Sequence, residues 1–197
     1  MRTINKVIFH CTATKEGQAF TVRDIDSWHK ARGFKFSFMG VTGSIGYHYV
    51  IYLDGSIHVG RPIELAGAHT VGQNLNSIGI CYIGGLDANG KPKDTRTPAQ
   101  IAAMETLVRE LKEKYPKATF HGHNEFANKA CPCFDVQQLV KEISSQDVEK
   151  DKAPTDTPLT TDDESKVVSM EPDPNQKQSF INFLINQITN LFSKWIS

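Results

Sequence analysis

The sequence predicts an α/β domain over residues 1–143, followed by a linker and a terminal helix. Apolar runs of strand length alternate along this domain with segments whose apolar residues recur at helical spacing. Asp54-Gly55 lies between two such runs and indicates a β-hairpin. Beyond residue 143 the composition becomes polar and acidic, which indicates that the packed domain ends there.

The first predicted elements are a strand and a helix. The run INKVIFH is apolar and rich in β-branched residues, so it predicts a strand that ends at His10. The helix covers residues 21–33, with Thr21 as its N-cap and Asp24 at the capping-box position. Gly33 is its expected stop.

The middle of the domain is predicted to be β-structure. Residues 46–62 form the hairpin, and Tyr47, Tyr49 and Ile51 share one face of its first strand because side chains alternate along a strand. The apolar run at residues 76–85 ends in two glycines and predicts a buried strand.

The clearest helix covers residues 97–116. Thr97 is its N-cap, Pro98 occupies the first helical position, and Gln100 completes a capping box. Its apolar stripe consists of Ile101, Met104, Leu107, Val108 and Leu111. A short strand follows over residues 118–123 and again ends in a histidine.

The C-terminal part divides into three segments. Asp135 can cap a last domain helix over residues 136–143. Residues 144–178 hold four prolines and nine acidic residues, which predicts a flexible acidic linker. Residues 179–197 place apolar side chains at helical spacing and predict an amphipathic helix that contacts a membrane or a protein partner. The alternative is that this helix folds back on the domain.

Composition narrows the class of function. Residues 1–143 carry 17 basic and 13 acidic residues, a net charge too small to argue for nucleic acid. A chain of this length needs no disulfide framework, so its cysteines indicate metal binding or burial. The segment Met1–Phe9 has no apolar core of signal-peptide length, so cytoplasmic synthesis is expected.

A candidate metal site is suggested by the strand ends. Two predicted strands end in His10 and His123, and Cys131 follows eight residues after the second. Two imidazoles and one thiolate leave a fourth position for water, the pattern of catalytic zinc. His121 is a rival ligand because it shares a strand face with His123, and Cys133 competes with Cys131. Histidines at strand ends are more often hydrogen-bonded, and buried cysteines more often only pack, so spacing leaves the choice open.

Five segments of the chain carry a more specific signal: VIFHCTATK, GYHYVIYLDGSIHVGRP, GAHTVGQNLNSIGICYIGG, TPAQ and HNEFANKACPCFD. In order and spacing they resemble the zinc-dependent N-acetylmuramoyl-L-alanine amidases, which are type-2 amidases of the peptidoglycan recognition protein superfamily. The phage endolysin branch is the most similar. The resemblance covers about residues 4–142 and implies a mixed central β-sheet of about five strands flanked by α-helices, with one Zn²⁺ ion at the floor of a groove.

The resemblance also assigns roles to individual positions. It implies that His10, His123 and Cys131 are the zinc ligands, that Tyr47 is the active-site tyrosine, and that Lys129 stabilises the oxyanion. Tyr47 would orient the attacking water or aid proton transfer. Without the resemblance, residue type and position would predict that Tyr47 is an aromatic residue of the core and that Lys129 is a solvated charge on a loop.

Further positions resemble the substrate groove of the family. His69 in GAHTVG, together with Asn76 and Ser77, is expected to bind substrate. His121 and Cys133 depart from the family pattern and are expected to lie outside the ligand set.

The implied function is hydrolysis of the amide between N-acetylmuramic acid and L-alanine in bacterial peptidoglycan, by a phage or prophage lysis enzyme. Such an enzyme would reach the cell wall with the help of a holin or during lysis, and it would have no nucleic-acid partner. One alternative is a peptidoglycan-binding module without turnover. Another is a metallohydrolase that cuts within the stem peptide.

Overall fold

The computed structural model describes residues 2–152. Within this range the chain forms nine strands, three helices and two 3₁₀ turns. The helices are α1 (Val22–Ala31), α2 (Pro98–Lys114) and α3 (Val136–Lys152), and the 3₁₀ turns are Asn74–Asn76 and His123–Glu125. The strands are β1 (Lys6–Cys11), β2 (Thr14–Lys15), β3 (Phe36–Phe38), β4 (Val41–Gly43), β5 (Tyr49–Ile51), β6 (Ile57–Val59), β7 (Ser77–Tyr82), β8 (Gly85–Leu86) and β9 (Thr119–Gly122).

Five of these strands form one mixed sheet in the order β6-β5-β7-β1-β9. The neighbours β5, β7, β1 and β9 run parallel, and β6 runs antiparallel to β5 across the Asp54-Gly55 turn. The pairs β2–β8 and β3–β4 form two small separate sheets. The predicted α/β fold with a mixed sheet of about five strands is confirmed.

The predicted helix starts are confirmed in detail. Thr21 and Asp24 form the capping box of α1, and Thr97 and Gln100 form that of α2. Each box satisfies backbone N–H groups that the first helical turn leaves without partners. The α1 helix ends at Ala31, two residues before Gly33.

Helices cover both faces of the sheet. Phe9 of β1 and Ile80 of β7 belong to the larger core, together with Met104 of α2 and Leu139 of α3. Val50 of β5 belongs to a second cluster, which contains Ile25 of α1. The register pairs Val50 with Cys81, and Cys81 with His10, so His10 lies on the face that α1 covers.

Three features differ from the sequence-based expectation. Tyr47 precedes β5 and packs in the second cluster, whereas Tyr49 and Ile51 belong to the larger core, so the three do not share one strand face. Residues 34–44 contain the short hairpin β3–β4, whose strands of three residues are too brief for a period to be recognised. The α3 helix continues past Ile143 to Lys152. Arg109 of α2 donates to the Asp147 carboxylate at 2.8 Å, a contact with α3 that composition cannot reveal.

The predicted C-terminal helix over residues 179–197, and the part of the predicted linker after residue 152, lie outside the described residues. Among residues 2–152, no helix is both long enough and apolar enough to cross a membrane.

Candidate metal centre

The parallel register of β1 and β9 brings two histidines together. Phe9 pairs with Gly122, so the next residue of each chain segment, His10 and His123, comes side by side. Their ring centroids are 4.5 Å apart. His10 is buried within β1, whereas His123 is partly exposed and begins the 3₁₀ turn after β9. The register of the sheet therefore brings the two imidazoles together.

Cys131 reaches the same place from the loop that follows. Asn124 N–H donates to the Cys131 carbonyl at 2.8 Å, which closes the loop back onto the 3₁₀ turn. The Cys131 Sγ accepts from the backbone N–H of Cys11 at 3.3 Å. This bond helps to hold the sulfur, a ligand atom that zinc accepts, beside the His10 ring.

The three side chains have the spacing of a mononuclear metal site. One ligand atom each from His10, His123 and Cys131 lies within 4.8 Å of the other two, and Cys131 Sγ is 3.8 Å from His10 Nδ1. In a tetrahedral zinc site, bonds of about 2.3 Å to sulfur and about 2.05 Å to nitrogen place these two atoms about 3.6 Å apart. The residues present therefore fit one zinc ion with an open fourth position.

The electrostatics of the site favour neutral imidazoles. Burial and the neighbouring His69 and His123 lower the pKa of His10 well below its ordinary value. Burial, followed by the charge of Lys129, lowers the pKa of His123. Neutral imidazole is the form that coordinates a metal, so both side chains are in the appropriate state near neutral pH.

The rival ligands are held elsewhere. His121 Nδ1 is 2.6 Å from Glu125 Oε2, and its Nε2 is 2.8 Å from Thr119 Oγ1, so both nitrogens have partners outside the site. Cys133 Sγ contacts Cys11 Sγ at 3.8 Å and the Gly85 carbonyl at 3.2 Å. Burial raises the pKa of the Cys133 thiol to about 12. Neither His121 nor Cys133 belongs to the metal group.

Tyr47 and Lys129 both lie near the metal group. The ring of Tyr47 is 5.1 Å from that of His10, and burial followed by nearby cysteines raises the pKa of its phenol well above the ordinary value. Lys129 is exposed on the loop between His123 and Cys131. Its charge adds to the effect of burial in lowering the pKa of both His10 and His123.

The three predicted substrate-binding residues occupy different environments. His69 is partly exposed, and its Nδ1 lies 3.0 Å from His10 Nε2. Ser77 is fully buried, and its Oγ lies 3.3 Å from His69 Nε2. The Asn76 amide donates to the Thr3 carbonyl at 2.9 Å. Of the three, only His69 is in contact with a residue of the metal group.

Two supporting residues were not recognised in the sequence. Glu125 accepts from Gly122 N–H at 2.7 Å and thereby fixes the 3₁₀ turn that presents His123. Thr70 Oγ1 lies 3.4 Å from His10 Nε2. Glu125 follows His123 by two residues in HNE, a short pattern too common to be a signal by itself. Thr70 offers no sequence signal, because it reaches His10 only through the fold.

Comparison with known proteins places this site in a family. The family model described as N-acetylmuramoyl-L-alanine amidase matches residues 1–134. The endolysin of Enterobacteria phage K11 is 41% identical over 132 residues, which are 67% of this chain and 82% of that protein. The endolysin of Escherichia phage T7 is 40% identical over 132 residues, with the same 67% and 82% coverage.

Solved structures show the same relationship. The N-acetylmuramoyl-L-alanine amidase LysC from Clostridium intestinale URNW superposes with a TM-score of 0.60 at 27% identity, over 73% of this chain and 87% of that chain. The Drosophila peptidoglycan recognition protein PGRP-LB superposes with a TM-score of 0.55 at 26% identity, over 74% and 82% of the two chains.

Proposed function

Since the chain belongs to the N-acetylmuramoyl-L-alanine amidase family, we propose that it hydrolyses the amide bond between N-acetylmuramic acid and L-alanine of bacterial peptidoglycan, using one bound Zn²⁺ ion. That the chain is an amidase follows from the family. The metal and the substrate bond are the proposed parts.

The observation that carries the proposal is the group formed by His10, His123 and Cys131. Their ligand atoms converge to within 4.8 Å, and they come from two strand ends and one loop that lie far apart in sequence. When bound there, zinc would supply a Lewis acid that polarises the amide carbonyl and lowers the pKa of a water molecule. A protein that only bound peptidoglycan would need no such convergence of metal-binding side chains.

The remaining roles belong to the side chains around this group. Lys129 lies on the loop between His123 and Cys131, and its positive charge would stabilise the negative charge of a tetrahedral oxyanion. A fixed group of this kind contributes about 2 to 4 kcal/mol to transition-state stabilisation. Tyr47, beside His10, would orient the attacking water through its phenol or assist proton transfer.

The proposed substrate contacts centre on His69, which is partly exposed and contacts a residue of the metal group. Both ring nitrogens of His69 have protein partners, so the residue would offer substrate its ring edge. Ser77 is buried and would act on the groove through His69. Asn76 would keep the start of β7 in place through its bond to Thr3.

The proposal includes a cellular setting and a division of the chain into domains. The endolysin relatives support a phage or prophage enzyme that acts on the cell wall after release. Release with the help of a holin is part of the same proposal. We assign catalysis to residues 1–143. The predicted linker over residues 144–178 begins with residues that the structure places in α3, up to Lys152. The rest of that linker and the terminal helix over residues 179–197, with its membrane or partner contact, stay predictions.

The proposed cleavage is tested by digesting purified peptidoglycan and identifying the new ends by mass spectrometry. Free lactyl carboxylates together with peptides that begin at L-alanine are expected. Retention of the protein on peptidoglycan without any released product would instead indicate a binding module. Peptides cut between stem residues would indicate a metallohydrolase of different bond specificity.

A further inference from the structure

The imidazole of His10 has a second contact that the ligand set does not use. Its Nδ1 faces Cys131 Sγ, whereas its Nε2 lies 3.0 Å from His69 Nδ1. If Nδ1 binds the metal, Nε2 must carry the ring proton, because a neutral imidazole holds only one. His10 Nε2–H then donates to His69 Nδ1.

The tautomer of His10 also determines that of His69. With Nδ1 of His69 accepting from His10, the proton of His69 resides on Nε2. That nitrogen lies 3.3 Å from the Oγ of Ser77, which is fully buried at the start of β7. A chain of two hydrogen bonds thus runs from His10 through His69 to Ser77.

The surrounding backbone leaves room for His69 at this position only because two residues have no side chain. A Cβ atom added to Gly79 of β7 would lie 2.6 Å from the His69 ring, and one added to Gly67 would overlap the ring as well. Asn74 Oδ1 accepts the backbone N–H groups of both His69 and Thr70 at 2.9 Å. The His69 ring therefore packs closely against the backbone at Gly67 and Gly79, and Asn74 holds its own backbone.

We propose that His69 is a positioning residue for the metal centre, which fixes the tautomer and the ring orientation of His10 and is itself oriented by Ser77. The inference rests on the proposed metal site. A hydrogen bond to the outer nitrogen of a ligating histidine raises its basicity and locks its orientation, and removing it lowers metal affinity by about 10- to 100-fold. Thr70 Oγ1, 3.4 Å from His10 Nε2, is the only other acceptor in reach among residues 2–152 and is more distant.

The test is the dissociation constant for Zn²⁺ alone, measured in the full chain by competition with a chromophoric chelator. His69→Ala is expected to weaken binding by about 10- to 100-fold. His69→Asn is expected to recover part of this loss, because its Oδ1 can take the place of Nδ1 as acceptor. His69→Gln places its amide where Nε2 was and should behave like His69→Ala.

A second variant and a control distinguish the proposed positioning role of His69 from a purely structural effect. Ser77→Ala keeps the His69 side chain but removes the hydroxyl that orients it, so it should weaken zinc binding in the same direction but less. This variant keeps the test available if His69→Ala does not fold. His48→Asn removes a neighbouring buried histidine whose Nδ1 accepts from Gly79 N–H, not from His10. It should leave the zinc affinity unchanged.

The possible outcomes distinguish a failure of this inference from a failure of the proposed metal site. Wild-type protein that binds no zinc contradicts the metal site, and the inference with it. Wild-type protein that binds zinc, with His69→Ala and Ser77→Ala both within about two-fold of it, contradicts the inference alone. Equal losses in the Asn, Gln and Ala variants also overturn it, because the acceptor at Nδ1 would then be irrelevant.

Discussion

At the scale of single residues, the two histidines and two cysteines of residues 121–133 differ in surroundings, not in chemistry. His121 is tied to Glu125 and Thr119, and Cys133 contacts Cys11. Spacing could not separate these residues from His123 and Cys131, because the strand ends at Gly122 and the alternation rule no longer applies beyond it. The family resemblance did select the pair that the structure brings to His10.

Cys131→Ser and Cys133→Ser form a matched pair that tests this distinction. Serine is a poor zinc ligand at neutral pH, so Cys131→Ser should reduce amidase activity on purified peptidoglycan by at least about 100-fold. Cys133→Ser should keep activity within about three-fold of wild type, since Cys133 lies outside the metal group. Similar activity losses in the two variants would show that the assignment of the third ligand is wrong.

His48 makes a pH-dependent contribution to stability. Gly79 N–H donates to its Nδ1 at 2.9 Å, its Nε2 is 3.1 Å from the Leu65 carbonyl, and burial lowers its pKa to about 3. The unfolded chain, with an imidazole pKa of about 6.5, binds the proton that the folded state excludes. The free energy of unfolding should therefore fall as the pH drops below 6.5, by up to about 1.4 kcal/mol per pH unit until about pH 3.

His48→Asn isolates this effect. The asparagine Oδ1 can accept from Gly79 N–H and does not titrate, so the variant should lose less stability between pH 7.5 and pH 5 than wild type, by about 2 kcal/mol. Urea unfolding of both proteins at the two pH values, with a chelator present throughout, measures the difference. Parallel losses in the two proteins would contradict a neutral, buried His48.

At the scale of elements, the sequence was most informative where local chemistry decides the structure. Both capping boxes and the Asp54-Gly55 turn depend on residues within a few positions of one another, and all three were predicted. The hairpin β3–β4 and the extension of α3 were not. Their formation depends on packing and on contacts such as Arg109–Asp147 that join distant parts of the chain.

The N-terminus of α2 provides a stability prediction with an internal control. Thr97 Oγ1 accepts from Gln100 N–H at 3.0 Å and donates to the Leu53 carbonyl at 2.8 Å. Thr97→Ala should therefore lower the free energy of unfolding by about 1 to 2 kcal/mol. Thr106→Ala, on the exposed side of the same helix, should change it by less than about 0.5 kcal/mol. Equal effects in chemical denaturation would argue against a capping role.

At the scale of the whole molecule, the strand order β6-β5-β7-β1-β9 creates the site. It sets β1 beside β9 and thereby joins His10 to a histidine more than a hundred residues away. No periodicity in the sequence specifies which strands become neighbours. The residues alone therefore predicted the strands and their terminal histidines, but not that the two strands pair and bring the histidines together. The resemblance supplied that step, and the contact between His10 and His69 became visible only in the fold.

The domain division predicts that catalysis does not require residues beyond α3. The family match ends at residue 134, and the described helix α3 ends at Lys152. A chain truncated after Lys152 should therefore release peptides from purified peptidoglycan at a rate within about three-fold of the full chain. A loss of more than about ten-fold, with the truncated chain folded, would assign residues 153–197 a direct part in catalysis.

The most direct test of the central claim follows zinc content and amidase activity in one preparation. Removing the metal with a chelator should abolish the release of peptides that begin at L-alanine, and adding Zn²⁺ back should restore it up to one ion per chain. Protein shown to be free of zinc that still releases these peptides at the wild-type rate would contradict a zinc amidase built on His10, His123 and Cys131.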